Sequence, residues 1–78
     1  MGAYDIQLRH HERDEGDTIT RTLDLDGHDV DATLLALLKA SIERVRGDTR
    51  YIAEYDLEIR EYGSRYVERR FAAHQGEV

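Results

Sequence analysis

Between Asp31 and Gly47 the apolar residues Leu34, Leu35, Leu38, Ile42 and Val45 recur at intervals of three and four, the spacing of one helical face. Leu37 widens that stripe. Arg44 and Arg46 stand at the C-terminal end, where cations are favoured, and Gly47 supplies a left-handed stop. Asp29 or Asp31 can cap the free N–H groups of the first turn. The pattern predicts a helix over about 31–46. Elsewhere the period is two. Tyr4, Ile6 and Leu8 alternate with Asp5, Gln7 and Arg9, which predicts a half-buried strand over 3–10. Residues 10–17 contain no apolar side chain and have Gly16 near their end, so they read as a solvated hairpin loop. A second strand is expected from about Thr18 to Leu25, with Ile19, Leu23 and Leu25 on one face and Thr18, Thr20, Thr22 and Asp24 on the other. Arg21 interrupts the apolar face, which places it near the sheet edge with its stem packed and its head in water.

From Tyr51 the alternation resumes. Tyr51, Ala53, Tyr55, Leu57 and Ile59 fall on one side, and Glu54, Asp56, Glu58 and Arg60 on the other. A helical reading through Ile52, Tyr55, Ile59 and Tyr62 leaves Leu57 outside its stripe, so a strand is preferred. Tyr62-Gly63-Ser64 reads as a hairpin loop with glycine where a positive φ is needed. Pairing Glu61 with Arg65 sets Val67 opposite Ile59 and Phe71 opposite Tyr55, giving a fourth strand over 65–72. The rival is a short C-terminal helix capped by Ser64. Residues 74–78 are expected to fray. The predicted architecture is one α+β domain over residues 1–78. It is a four-stranded antiparallel sheet with one helix on one face, in the order β-β-α-β-β, or β-β-α-β-α if the last element is helical.

Composition changes this picture in two ways. A chain of 78 residues buries only about 60 % of its extended surface, so the core is small. It contains no cysteine, which excludes disulfides and thiolate zinc sites and fits a reducing compartment. With no long apolar run and no signal-like start, a soluble cytoplasmic protein is expected. The net charge of −6 resides entirely in residues 1–31, which hold nine acids against three arginines, whereas the remainder is balanced. Direct nucleic-acid binding through a basic groove is disfavoured, and a basic partner would be steered toward the chain.

The histidines and acids at His10, His11, Glu12, Asp14, Asp17 and His28 invite a metal reading. Neighbouring strand residues point to opposite faces, however, and the loop lacks the alternating ligands and distal Glu of an EF-hand. No metal or cofactor is expected. No nucleophile–base arrangement or glycine-rich phosphate loop is present, and no carboxylate pair is marked as desolvated, so a non-enzymatic role is expected.

The face opposite the helix is the more informative surface. On the predicted register it carries Asp5, Asp24, Glu54, Asp56, Glu58 and Glu68 against Arg9, Arg60 and Arg70. Alternate strand residues lie about 6.6 Å apart, close to the phosphate spacing of an extended nucleic-acid strand. The row Glu54-Asp56-Glu58 can therefore stand in for backbone phosphates before an arginine-lined groove, and Tyr62 and Tyr66 can supply aromatic anchors. With Asp24 and that row on a small, acidic, cysteine-free hairpin-helix-hairpin plan, the chain resembles in type the small phage-encoded inhibitors, anti-CRISPR proteins and other DNA mimics among them. The resemblance implies a protein partner with a basic nucleic-acid-binding surface, engaged through Asp5, Asp24, Glu54, Asp56, Glu58, Tyr66 and Glu68. It implies no contact with nucleic acid or membrane. The chain would act as a monomer or homodimer. The rival expectation is a structural module that self-associates through a sheet edge or around Leu37.

Overall fold

The computed structural model describes residues 2–76, without the side chains of Asp14, Glu15 and Asp17; the tail positions 77 and 78 of the expected frayed segment lie outside it. The chain forms strand β1 (Gly2–His10), strand β2 (Asp14–Leu23), helix α1 (Val30–Arg46), a 3₁₀ turn (Thr49–Glu54), strand β3 (Tyr55–Glu61), strand β4 (Arg69–Ala72) and a short helix α2 (Ala73–Gly76). The strands make one antiparallel sheet in the order β2-β1-β3-β4. The expected α+β architecture is therefore present, and both endings foreseen for the chain occur in succession: a fourth strand, then a helical turn.

One sheet face is apolar because the strands keep their alternation in register. Ile6 stands between Ile19 and Ile59, and Leu57 between Leu8 and Phe71. Leu34, Leu38 and Ile42 of α1 cover this layer, and these residues with Ile6, Leu8, Tyr55, Leu57, Ile59 and Phe71 are essentially inaccessible to solvent. Tyr55 can be buried because Arg46 donates to its hydroxyl at 3.0 Å. Helix α1 ends at Gly47, whose φ of 74° and N–H bond to the Glu43 carbonyl at 2.8 Å make the expected left-handed stop. Its start differs from expectation. Asp29 occupies the cap position with φ 64° and makes no side-chain cap bond, and the Asp31 carboxylate instead accepts from Arg69 of β4. A left-handed Asp29 aims its side chain away from the first-turn N–H groups, so only its backbone carbonyl serves the helix, accepting from Thr33 N–H at 2.9 Å.

Three boundaries move. β2 begins at Asp14 rather than Thr18 and stops at Leu23, so the hairpin loop shrinks to residues 11–13. The extra length is taken up by a bulge: Gln7 pairs with Thr18 and Arg9 with Asp14, which leaves three β2 residues opposite Leu8. Gly16, at φ 88°, is the glycine of that bulge rather than of a loop. Residues 51–54 are 3₁₀ rather than strand. Asp48 accepts the N–H of Arg50 at 2.9 Å and starts the turn, and the Arg46 guanidinium lies 4.1 Å from the Tyr51 ring, which holds that ring on the helix end instead of in the sheet. β4 is shorter than 65–72 and is displaced by two residues, with Phe71 opposite Leu57 and Arg69 opposite Ile59. Gly63 takes the predicted positive φ, 81°, and Ser64 N–H closes a turn on the Glu61 carbonyl at 2.8 Å. The chain then loops out through 65–68 before pairing. A two-residue slip preserves which side chains face inward, so Phe71 still reaches the core. Of the tail expected to fray, residues 74–76 belong to α2, where Ala73 is buried and Gly76 packs against Leu35 and Phe71.

Candidate partner-binding surface

The open face of the sheet is built by the outward residues of β1, β3 and β4, with the threonines of β2 beside them. Glu58 is at its centre, flanked in register by Gln7 on β1 and Arg70 on β4. Three guanidinium groups converge on it: Arg60 donates at 3.0 Å, Arg70 lies at 3.1 Å and Arg9 at 3.4 Å. The Glu58 side chain is only 8 % exposed, and both of its oxygens are engaged. A carboxylate folded under three arginines cannot imitate a phosphate for an outside partner.

The other members of the predicted row are also engaged. Glu54 lies in the 3₁₀ turn, off the strand, with its carboxylate 3.0 Å from His10 Nε2. Asp56 is on β3 with its carboxylate 3.2 Å from His11 Nε2. Asp5 accepts from the Thr20 hydroxyl at 2.6 Å. Glu54, Asp56 and Glu58 therefore do not form an evenly spaced free row. The alternation placed Arg9, Arg60 and Arg70 on the right face; their convergence on Glu58 required the register of all three strands.

The remaining predicted residues, Asp24, Glu68 and Tyr66, belong to one end of the molecule. There β1 starts beside the ends of β2 and β3, with Gly2 opposite Leu23 and Tyr4 opposite Glu61. Asp24 and Asp26 follow β2, Glu61 closes β3, and Glu68 precedes β4, where its N–H bonds the Ile59 carbonyl at 2.8 Å. These four carboxylates act on the Tyr4 hydroxyl. It is pushed above the ordinary tyrosine value, first by desolvation and then by Glu68, Glu61, Asp26 and Asp24. Among the described residues no lysine or arginine comes within ion-pair distance of any of the four. Tyr62 and Tyr66, in the β3–β4 connection, are the exposed large hydrophobics, at 67 % and 83 %. Asp26, Glu61 and Tyr4 were missed by pattern reading. The signal for them was the pairing that gathers three strand ends.

Two shallow clefts flank the opposite end of the sheet. The larger, about 420 Å³, has a floor of Ile52, Ala53, Tyr55, Ala72 and Ala73 with His11, Asp56 and His74 around it. The smaller, about 270 Å³, lies over the Glu58 network. Among the described residues no three His, Asp or Glu side chains gather as metal ligands would, and no helix is long and apolar enough to cross a membrane. Comparison with protein-family models, curated proteins and solved structures finds no match to this chain.

Proposed function

We propose that this chain is a non-enzymatic binding protein that inhibits a partner by seating an acidic surface in the partner's basic, nucleic-acid-binding site, as the anti-CRISPR and DNA-mimic inhibitors it resembles in plan do. The observation that supports this reading is the cluster Asp24, Asp26, Glu61 and Glu68 around Tyr4, with no lysine or arginine among the described residues at ion-pair distance and with exposed Tyr62 and Tyr66 in the adjoining loop. Carboxylates without a cationic partner offer arginine the same geometry as phosphate, and exposed tyrosines stack on guanidinium planes; of the four, Asp24 also accepts the Asp26 N–H at 3.0 Å. On this reading the docking surface is the Tyr4 end rather than the Glu54-Asp56-Glu58 row, whose carboxylates have partners within the molecule.

The test is competition on a partner captured from the native host. Nucleic acid and this chain should exclude one another from it. Changing Asp24 and Asp26 to Asn and Glu61 and Glu68 to Gln should weaken binding at least about tenfold near physiological salt, a loss of about 1.4 kcal/mol or more. The pair Glu54→Gln and Asp56→Asn should bind as the unaltered chain does. Simultaneous occupancy by nucleic acid, or full affinity in the four-site variant, would overturn the reading.

A further inference from the structure

His10 is the last residue of β1, and its side chain is only 8 % exposed, against 51 % for the neighbouring His11. Its ring has a partner on every side. Nδ1 accepts the backbone N–H of Glu12 at 3.0 Å, Nε2 is 3.0 Å from the Glu54 carboxylate, and the ring meets Tyr55 edge-on with centroids 4.9 Å apart. A backbone N–H can only donate. Nδ1 must therefore be bare, and Nε2 carries the proton that it donates to Glu54. This arrangement ties the β1–β2 hairpin tip, residues 11–13, to the 3₁₀ turn and the start of β3. A backbone bond from His11 N–H to the Glu54 carbonyl, at 3.0 Å, adds to the tie.

We infer that His10 is a proton-operated latch: in its neutral Nε2–H form it closes the hairpin tip on the 3₁₀ turn, and a proton on Nδ1 opens it. Once Nδ1 carries hydrogen it faces the Glu12 N–H donor to donor, and one must turn away. The ring cannot rotate without leaving Glu54 and Tyr55, so the tip, exposed over residues 11–13, is the part free to move. The charged groups around the ring are Glu54, at hydrogen-bond distance, and Arg9, Arg70, Asp56 and Glu58, which line the small cleft with it; Asp56 and Glu58 are held by His11 and the arginines. On the far side, Arg46 binds the Tyr55 hydroxyl, so that ring stays in place as the edge-on wall. The loss of the Glu12 N–H to Nδ1 contact gives the latch its direction: closed when neutral, open when charged.

Nitrogen-detected NMR of the unmodified protein tests this. At about pH 8, above the ordinary histidine range near 6.5, His10 should show a protonated Nε2 and a bare Nδ1, with the Glu12 and His11 amides slow to exchange. Lowering the pH to about 5 should shift both amides with the same midpoint as the His10 ring. Their protection should fall about tenfold or more while amides of α1 and β3 keep theirs. In His11→Asn the transition should persist, because the latch belongs to His10. A protonated Nδ1 at the higher pH would overturn the inference. So would a second proton on His10 that leaves the Glu12 amide unmoved, or a transition that disappears with His11.

Discussion

Gly16 shows how much a single side-chain position decides in a chain with so small a core. A Cβ built there would lie 2.7 Å from the Cβ of Leu8, and the backbone φ is 88°. Alanine at this position meets two penalties, a left-handed conformation costing about 1 kcal/mol and a clash with a fully buried leucine that cannot swing aside. Gly63 has a similar φ, 81°, with nothing within 4 Å of the missing Cβ. Gly63→Ala should therefore cost about 1 kcal/mol, and Gly16→Ala about 2–4 kcal/mol. Urea denaturation of the two variants separates conformation from packing, and equal losses would mean that the bulge relaxes around the new methyl. Sequence alone showed a glycine at the edge of a polar run and suggested a loop. It could not show that Leu8 would lie against it, because that contact depends on three β2 residues being spread opposite one β1 residue.

At the scale of elements, the fold holds its helix to its sheet by more than the apolar stripe. Asp31 in the first turn of α1 accepts from Arg69, the first residue of β4, and both are only partly exposed. The pair joins elements far apart in sequence, and the carboxylate also lies at the positive end of the helix dipole. A double-mutant cycle with Asp31→Asn and Arg69→Met should give a coupling of about 0.5–1 kcal/mol in thermal or urea unfolding, more than most surface pairs give. A coupling near zero would mean that the apolar layer alone positions α1. This pair also marks where pattern reading stops. The helix, the inward sets of β1 and β3 and the sheet's composition were legible because period and turn chemistry agreed. The register of β4 was not legible. Slips by two leave every side chain on its own face, so alternation cannot choose between Phe71 opposite Tyr55 and Phe71 opposite Leu57. The choice made by the fold puts Arg69, not Val67, opposite Ile59, within reach of Asp31. The 3₁₀ turn was hidden for a different reason: Tyr51 and Ala53 keep the strand parity, and it is the Asp48 cap together with Arg46, on another element, that draws Tyr51 out of line.

Over the whole molecule, charge is distributed by topology more than by composition. The acids that sequence order set in one row are split by the sheet, with Glu58 drawn under Arg9, Arg60 and Arg70, and Glu54 and Asp56 placed beside histidines. Asp24, Asp26, Glu61 and Glu68, which no single segment contains, meet at the Tyr4 end because antiparallel pairing returns the ends of β2 and β3 to the start of β1. Tyr4 reports on this gathering. Its hydroxyl is raised above 10.0 by desolvation and by those four carboxylates. The fold thus favours the neutral phenol. Its contribution to stability is complete below the unfolded tyrosine value, and is lost as pH rises through the higher folded one. In an ultraviolet titration of tyrosinate, one component should ionise above the ordinary tyrosine range and disappear in Tyr4→Phe. Changing Glu61 and Glu68 to Gln removes two of the four carboxylates without disturbing the core, so in that variant the late component should move back toward the ordinary tyrosine range. If it does not move, the carboxylates are too far apart or too well screened to act together. The same result would remove the electrostatic basis for a basic partner at this end, independently of whether any partner has been found.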